Sequence, residues 1–462
     1  MDAADVTSYR PISNLSVLSK LLERIVAAQI KDYIQTFNLL PVNQSAYRAF
    51  HSTETAVLRV SSDLLQAVDA GSIGILVLLD LSAAFDTVDH SILLSSLGIS
   101  CGFSGVVMEW FKSYLTGRTQ YISYNGVKSS VINIECGVPQ GSVLGPLLFT
   151  LYTADVSRLI HRHGLGSHLY ADDTQIYGSC KPGTTEGLQI RISSCLGEIS
   201  EWMCANRLQL NQSKTEVMWV ASSRRQSQLP TSSFRVGNSE VTPVSHVRDL
   251  GIYLDRDTSM NTHISMTVST CFGALRILRT ILHSIPGNMV LSLVTSLVLS
   301  RLDYGNATLY GLPSCQLDRY QAVLNAAARM IYGARGRDHV TPLLLKLHWL
   351  RPRERIAFKV GCLTWRCLHG MGPQYLQQDI HKVSDSGRRG GLRSAQSLDL
   401  IPPRTKNVTH GDRAWAAAAA KVWNSLYDEK DDDAVDFRSE DNYLSFRRLL
   451  KQHLWSISYP PN

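Results

Sequence analysis

The feature that most limits what this chain can fold into is the aliphatic run Ile73 to Leu79, interrupted only by Gly74 and preceded by Gly71. It is too short for a buried helix and lacks the alternation of a half-exposed strand, so it reads as a strand buried on both faces. A strand of that kind must lie inside a sheet with other layers packed above and below it. Asp80 stands at its end, where the polar sequence resumes.

The flanking pattern supplies those layers. Leu18, Leu21, Leu22, Ile25 and Val26 recur at helical spacing after a Ser13–Asn14 signal and predict a helix over about 16–33. Val57, Val60, Leu64 and Val68 predict a second. Asp89 is placed to cap a helix His90–Leu97, another spans about Ser104–Leu115, and Tyr121–Ile134 alternates about Asn125–Gly126, a strong hairpin signal. The segment opening at Gly137 predicts a helix reaching Ile160, and His168–Tyr170 and Thr174–Tyr177 predict a hairpin about Ala171, Asp172 and Asp173. Leu188–Met203 reads as helix, and Lys214–Ala221 and Phe234–Val241 as strands. From Asn261 onward only helices are expected, clearest over Met289–Leu299, Leu317–Ile331, Arg353–Leu368, Arg413–Leu426 and Tyr443–Trp455. Ser384–Ser394 is the expected linker, and the acidic run Asp428–Asp441 a solvated loop. Strands with interleaved helices on one sheet give an α+β architecture.

Length and charge narrow the function. With 462 residues, 44% hydrophobic and 18% charged, the chain can build several packed domains, and its net charge of +7 suits a polyanionic partner. Charge alone leaves nucleic acid and anionic membrane surfaces both open. The nine cysteines lack the paired spacing of a disulfide framework, which points to a reducing compartment. Cys362, Cys367 and His369 sit close together in an apolar, helical-looking segment and read as core cysteines beside a helix-end histidine rather than a metal knuckle. No segment is long and apolar enough to predict a membrane-spanning helix, and no secretory leader is expected.

A strand-end aspartate together with a hairpin bearing two adjacent aspartates is suited to one demanding task. In-line transfer of a nucleotide to a primer hydroxyl uses two magnesium ions roughly 3.5 to 4 Å apart, held by carboxylates on rigid backbone. Alone, Asp172–Asp173 is common turn chemistry and Asp80 a common cap.

Their order along the chain carries more. LDLSAAFDTVDH (79 to 90), GVPQGSVLGPLLFTLY (137 to 152) and YADD (170 to 173) resemble motifs A, B and C of reverse transcriptases. NRLQLNQSKTEVM (206 to 218) resembles motif D, HVRDLGIYLD (246 to 255) the primer-grip motif E, and YRPISNLSVLSKLLERIV and QSAYRAFHSTETAV the fingers motifs. The wording is that of non-LTR, LINE-like retrotransposons of the CR1 and jockey kind. The resemblance covers most of the chain.

That resemblance implies a right-hand polymerase fold with palm sheet, fingers, helical thumb and basic helical C-terminal region: fingers and palm over 1–257, thumb over 258–334, and the C-terminal region over 335–462. It implies an RNA-directed DNA polymerase that extends a DNA primer on an RNA template with deoxynucleoside triphosphates and two Mg2+ ions, Mn2+ being able to substitute. Asp80, Asp172 and Asp173 are the implied metal and catalytic carboxylates, and Lys214 the implied proton donor, with a strand-edge lysine the plainer alternative. Arg48, Leu81, Phe85, Gln140 and Gly141 are the implied nucleotide site. Phe85 is matched to the steric gate against a ribose 2′-hydroxyl, or is simply a core aromatic; Arg48 is matched to the triphosphate arginine, or is a solvated loop residue. Leu250 and Gly251 match the primer grip, while Val247 and Arg248 depart from its usual wording. Arg351, Arg353, Arg355 and Lys359, with Trp349 and Trp365 between and beside them, suit phosphate contact and base stacking, or a solvated helix face over buried tryptophans. An intracellular, nuclear setting without a membrane partner follows from the resemblance. The chain opens inside the first fingers block, so an N-terminally truncated element is expected, and a catalytically weak or inactive nucleic-acid-binding remnant is the alternative function. A metal-dependent nuclease is a further rival, disfavoured because no histidine shows a recurring ligand spacing.

Overall fold

The computed structural model describes residues 12–237, 239–284, 286–385, 398–427 and 436–460. Most of the expected linker, from residue 386, lies outside them, as do residues 428–435 of the acidic run and the first residues of the first fingers block. Two helices open the described chain, α1 (Val17–Thr36) and α2 (Thr53–Asp69). Ser16 caps α1 by accepting Ser19 N–H, and Ser52 and Thr55 close a reciprocal capping box on α2. β1 (Ile73–Leu79) follows, then α3 (His90–Ile99), α4 (Gly105–Leu115), α5 (Gly145–Tyr152) and α6 (Asp155–Arg162). Asp89 caps α3 as expected, accepting the N–H groups of Ser91 and Ile92.

The hairpin β2 (Gly166–Tyr170) and β3 (Asp173–Cys180) comes next, then α7 (Thr185–Ala205), β4 (Glu216–Val220) and a small hairpin, β5 (His246–Asp249) and β6 (Ile252–Asp255). The rest is helical, chiefly α8 (Asn261–Ile281), α9 (Gly287–Val294), α10 (Ser314–Tyr332), α11 (Pro352–Leu368), α12 (Trp415–Asn424) and α13 (Tyr443–Ser458). No described helix is long and apolar enough to cross a membrane.

Four strands form one antiparallel sheet in the order β4-β1-β3-β2. β1 is central and buried on both faces. Ile73, Ile75, Val77 and Leu79 pack into a core with α3 to α7, whereas Leu76 packs into a second core with α2 and the helices from α8 onward. This alternation is the period of a strand expressed as two layers.

Several local expectations are corrected. The helix expected to reach Ile160 is two helices: the Thr153 hydroxyl donates to Phe149 O and the chain restarts at Asp155. The strand expected over Phe234–Val241 is a tight hairpin, Phe234–Val236 against Ser239–Val241, because Gly237 takes a left-handed conformation. Lys214 precedes β4 in a short 3₁₀ turn, Gln212–Lys214, rather than lying in the strand. The helix over Met289–Leu299 widens to a π turn at Thr295–Leu299.

α2 joins the two halves of the chain. Its buried Glu54 accepts Ala307 N–H at 2.9 Å and pairs with Lys359 Nζ at 2.8 Å. Arg59 pairs with Asp379 at 2.8 Å, Ser62 accepts Trp415 N–H, and Asp69 accepts the N–H groups of Lys406 and Asn407. Nearby, Ser45 Oγ lies 2.8 Å from both His168 Nε2 and the Tyr375 hydroxyl, which reaches Thr55 at 3.1 Å. Residues beyond 335 are thus anchored on the first hundred through a buried polar network.

His168 reports on that anchor. It is fully buried, and burial, followed by the nearby His51 and Arg59 charges, holds its imidazole down at about 3. The unfolded chain takes up that proton near pH 6.5, so the folded state loses stability as pH falls from there toward 3. His168→Gln removes the titration and keeps a polar side chain. The unfolding free-energy difference between wild type and His168→Gln, measured in urea, should fall by up to about 1.4 kcal/mol per pH unit between about pH 6.5 and 4. A pH-independent difference would remove His168 as the cause.

Candidate active site

The register of β1 assembles the site. Leu79 lies opposite Thr174 on β3, and Leu78 opposite Glu216 on β4. Asp80 follows directly on β1, next to the end of β3 that begins at Asp173; on the other side the turn Gln212–Lys214 interrupts the pairing, which resumes at Leu81 opposite Leu210. Lys214 Nζ is 2.8 Å from Asp80 Oδ2, an ion-pair contact without hydrogen-bond angles, and Asn211 N–H donates to Asp80 O at 2.9 Å. Asp80 is mostly buried and Lys214 mostly exposed, so the ammonium reaches in from solvent.

The β2–β3 ladder runs to Tyr170 opposite Asp173, leaving Ala171 and Asp172 as a two-residue turn. Asp173 is therefore in the strand, not in the turn as expected. Ala171 is left-handed at φ 58, a conformation that a hairpin of this length needs and that glycine usually supplies. Asp80, Asp172, Asp173, Gln175, Lys214, Arg248, Asp249 and Leu250 are among the residues that line one open cleft of about 590 Å³. Its carboxylate oxygens are the donors a hard divalent cation takes. Among the described residues no three His, Cys, Asp or Glu side chains close on a common metal-sized point. The donor set fits magnesium in kind, with the Lys214 ammonium lying against one of its oxygens.

Across the cleft stands the β5–β6 turn. Leu250 and Gly251 are both left-handed, at φ 44 and 89, and Leu250 faces the cleft. Asp249, just before them, is 2% exposed and accepts Gln175 Nε2 at 2.5 Å. Burial pushes its carboxyl up to about 7, with the Gln175 hydrogen bond opposing and the Asp173 charge adding. Neither Asp249 nor Gln175 is singled out by the sequence, where a polar residue before Leu-Gly reads as turn chemistry.

Of the residues implied for the nucleotide, Phe85, Gln140 and Gly141 meet where motif B packs on motif A, whereas Leu81 and Arg48 have their partners elsewhere. Gly137 and Val138 donate backbone N–H groups to Val88 O and Phe85 O, stitching motif B to motif A. Gln140 Nε2 donates to Asp86 Oδ2 at 2.9 Å, and Gln140 O accepts Ser13 N–H. Gly141 is left-handed. Phe85 is half-buried with its ring 4.8 Å from that of Phe149, and Leu81 is buried in a short pairing with Leu210. Arg48 faces its own loop, donating to Pro41 O and Gln44 O, and burial lowers its pKa. Tyr47 beside it is raised by burial and then by the Asp172 charge.

The basic C-terminal residues divide. Arg355 grips Asp303 with two hydrogen bonds, at 2.9 and 2.5 Å, and Lys359 pairs with Glu54, so both charges are engaged within the chain. Arg351 lies 5.3 Å from the Tyr459 ring and Arg353 donates to Ser314 Oγ. Trp349 and Trp365 are core residues at 7% and 0% exposure, which agrees with the alternative of buried tryptophans and not with base stacking. Cys362 and Cys367 are buried thiols raised to about 11 and 12 by burial, and His369 stacks on Trp365.

A mixed helix-and-sheet fold with Asp80, Asp172 and Asp173 on one cleft is an arrangement of the kind template-directed polymerases share. The profile of the reverse transcriptase (RNA-dependent DNA polymerase) family matches residues 2–253, and the chain belongs to that family. It is 32% identical to a probable RNA-directed DNA polymerase from transposon BS of Drosophila melanogaster, across 60% of this chain and 30% of the relative. It is 30% identical to the corresponding protein of the X-element of the same organism, across 71% and 36%. To the RNA-directed DNA polymerase from mobile element jockey of Drosophila funebris it is 31% identical, across 56% and 28%. The chain spans about a third of the length of these curated relatives.

The tie between motifs A and B depends on one glycine. Gly137 sits at φ 88, and a Cβ there would meet Asp86 O at 2.9 Å. Gly137→Ala should lower the unfolding free energy by about 2–4 kcal/mol, read from urea denaturation. A loss below about 0.5 kcal/mol would mean the tie is slack.

Proposed function

We propose that this chain is the polymerase body of a non-LTR retrotransposon reverse transcriptase, extending a DNA 3′ end on an RNA template. The observation that carries the reading is the end of β1, where Asp80 shares one cleft with Asp172, Asp173 and Leu250 and pairs with Lys214. In this reading the four-stranded sheet is the palm, the preceding helices and loops are fingers, residues 258–334 are thumb, and residues 335–462 are a docked C-terminal region. The relatives named above as RNA-directed DNA polymerases support it.

Asp80 and Asp172 would hold the magnesium ions, or Mn2+ in their place, with Asp173 supporting them from the strand. Such ions would supply a lowered pKa at the primer hydroxyl and charge compensation on the transferring phosphate. Lys214 keeps its ammonium beside Asp80 and delivers a proton to the departing pyrophosphate. Phe85, backed by Phe149, presents an edge to the sugar, and Gln140, held by Asp86, meets the incoming nucleotide above Gly141. Arg48 reaches a triphosphate by leaving the carbonyls of its own loop. Arg351 and Arg353 contact template or primer phosphates, whereas Arg355 and Lys359 hold the helical region in place.

A primer-extension assay on an RNA template with Mg2+ tests the reading, with RNA-templated product the expected outcome. Asp172→Asn keeps the hairpin and removes a ligand charge, so the extension rate should fall about a thousandfold or more with little change in thermal stability. Extension within about tenfold of wild type would sink the assignment. Phe85→Val opens space at the 2′ position, so ribonucleotide incorporation should rise relative to deoxyribonucleotide. An unchanged ratio would leave Phe85 a packing residue alone.

A further inference from the structure

The Leu250–Gly251 turn is held more firmly than a surface turn requires. Leu250 lacks the conformational freedom of glycine yet is left-handed. From the helical side, the Tyr304 hydroxyl donates to Leu250 O at 2.6 Å and lies 3.0 Å from the Thr53 hydroxyl. Its ring lies so close to Gly251 that an added Cβ would meet Tyr304 Cε1 at 3.1 Å. From the sheet side, Asp249 Oδ1 accepts Gln175 Nε2, and Gln175 lies on β3 two residues beyond Asp173.

This second link is costly. Both residues are at least 98% buried, and Asp249 Oδ2 and Gln175 Oε1 have no hydrogen-bond partner among the described residues. A pair of apolar side chains would fill the same space without orphaned oxygens, but would also let the two hairpins slide. A short directional bond permits one relative placement. It connects the strand that carries Asp173 to the turn that faces it across the cleft.

We propose that Asp249 and Tyr304 are positioning residues for the primer terminus, fixing the Leu250–Gly251 turn at one distance from the Asp172–Asp173 hairpin. The proposal rests on the polymerase reading, since a primer end must lie between that turn and the carboxylates. Neither residue touches the reacting atoms. Each sets where the turn stands, so its loss should loosen placement of the primer end before it slows chemistry on a well-placed end.

Two measurements on the full chain test this. Steady-state extension gives KM for primer–template and kcat separately, and 2-aminopurine at the primer 3′ terminus reports its stacking in the binary complex without catalysis. Asp249→Ala should raise KM about tenfold with kcat lowered less than about threefold, and should change the fluorescence of the bound terminus. Asp249→Asn keeps an oxygen for Gln175 and should recover most of the loss. Gln175→Ala with Asp249→Ala should lose no more than the worse single variant, as expected of one shared contact. Tyr304→Phe keeps the ring on Gly251, removes only the hydroxyl, and should show the same KM-weighted loss even where Asp249→Ala folds poorly. Wild-type KM and fluorescence in both Asp249→Ala and Tyr304→Phe would overturn the proposal, as would a fall in kcat alone. A wild-type chain that stacks the primer terminus but never extends it would overturn the polymerase reading instead, leaving the fluorescence to judge the positioning.

Discussion

The antiparallel register of β1 is the constraint on which the rest of this structure depends. Because the strand is buried on both faces, its odd and even residues belong to different cores, and a slip by one residue would exchange them. The same slip would carry Asp80 away from Asp173 and Lys214 and turn its carboxylate toward the apolar packing of α3 to α7. Burial of the strand and assembly of the site are therefore one requirement, met by the same pairing of Leu78 and Leu79 with their neighbours.

A second requirement is that the helical half be held on the sheet. α2 meets it with an apolar face against the sheet and a polar face against segments that follow much later in the chain. Glu54, Arg59, Ser62 and Asp69 each bond to a residue beyond 300. The ion pairs that accompany these bonds are partly exposed and add little net stability, but they are directional. Losing Lys359 would leave the largely buried Glu54 carboxylate without its cation, and losing Asp303 the largely buried Arg355 without its anion. The engagement of Lys359 and Arg355 within the chain has this character, and it removes both from the basic surface that the sequence suggests.

The cleft itself concentrates unfavourable terms. Four aspartates, Asp80, Asp172, Asp173 and Asp249, line it, Ala171 and Leu250 are left-handed without being glycine, and Asp249 Oδ2 has no hydrogen-bond partner among the described residues. The Lys214 ammonium offsets part of the carboxylate repulsion. Strain and charge persist here because the sheet and both cores over-determine the backbone around them. Sites that bind cations and a polyanion are where such a balance is expected.

The sequence by itself determined the strand Ile73–Leu79, the capped helix after Asp89, the turn at Asn125–Gly126 and the candidacy of Asp80, Asp172 and Asp173. Those readings rest on short-range periodicity, capping chemistry and the order of motifs, all of which are written locally. The tertiary structure alone decided that Lys214 precedes its strand, that Arg48 faces its own carbonyls, that Trp349 and Trp365 are core, and that Asp249 is buried against Gln175. It also decided which arginines are engaged, since Arg355 meets Asp303 from 52 residues away. The physical reason is that burial and pairing are properties of two segments at once. A side chain's own neighbours in sequence state its type and its helix or strand, while its partner, its solvent exposure and its pKa are set by whatever the fold brings against it.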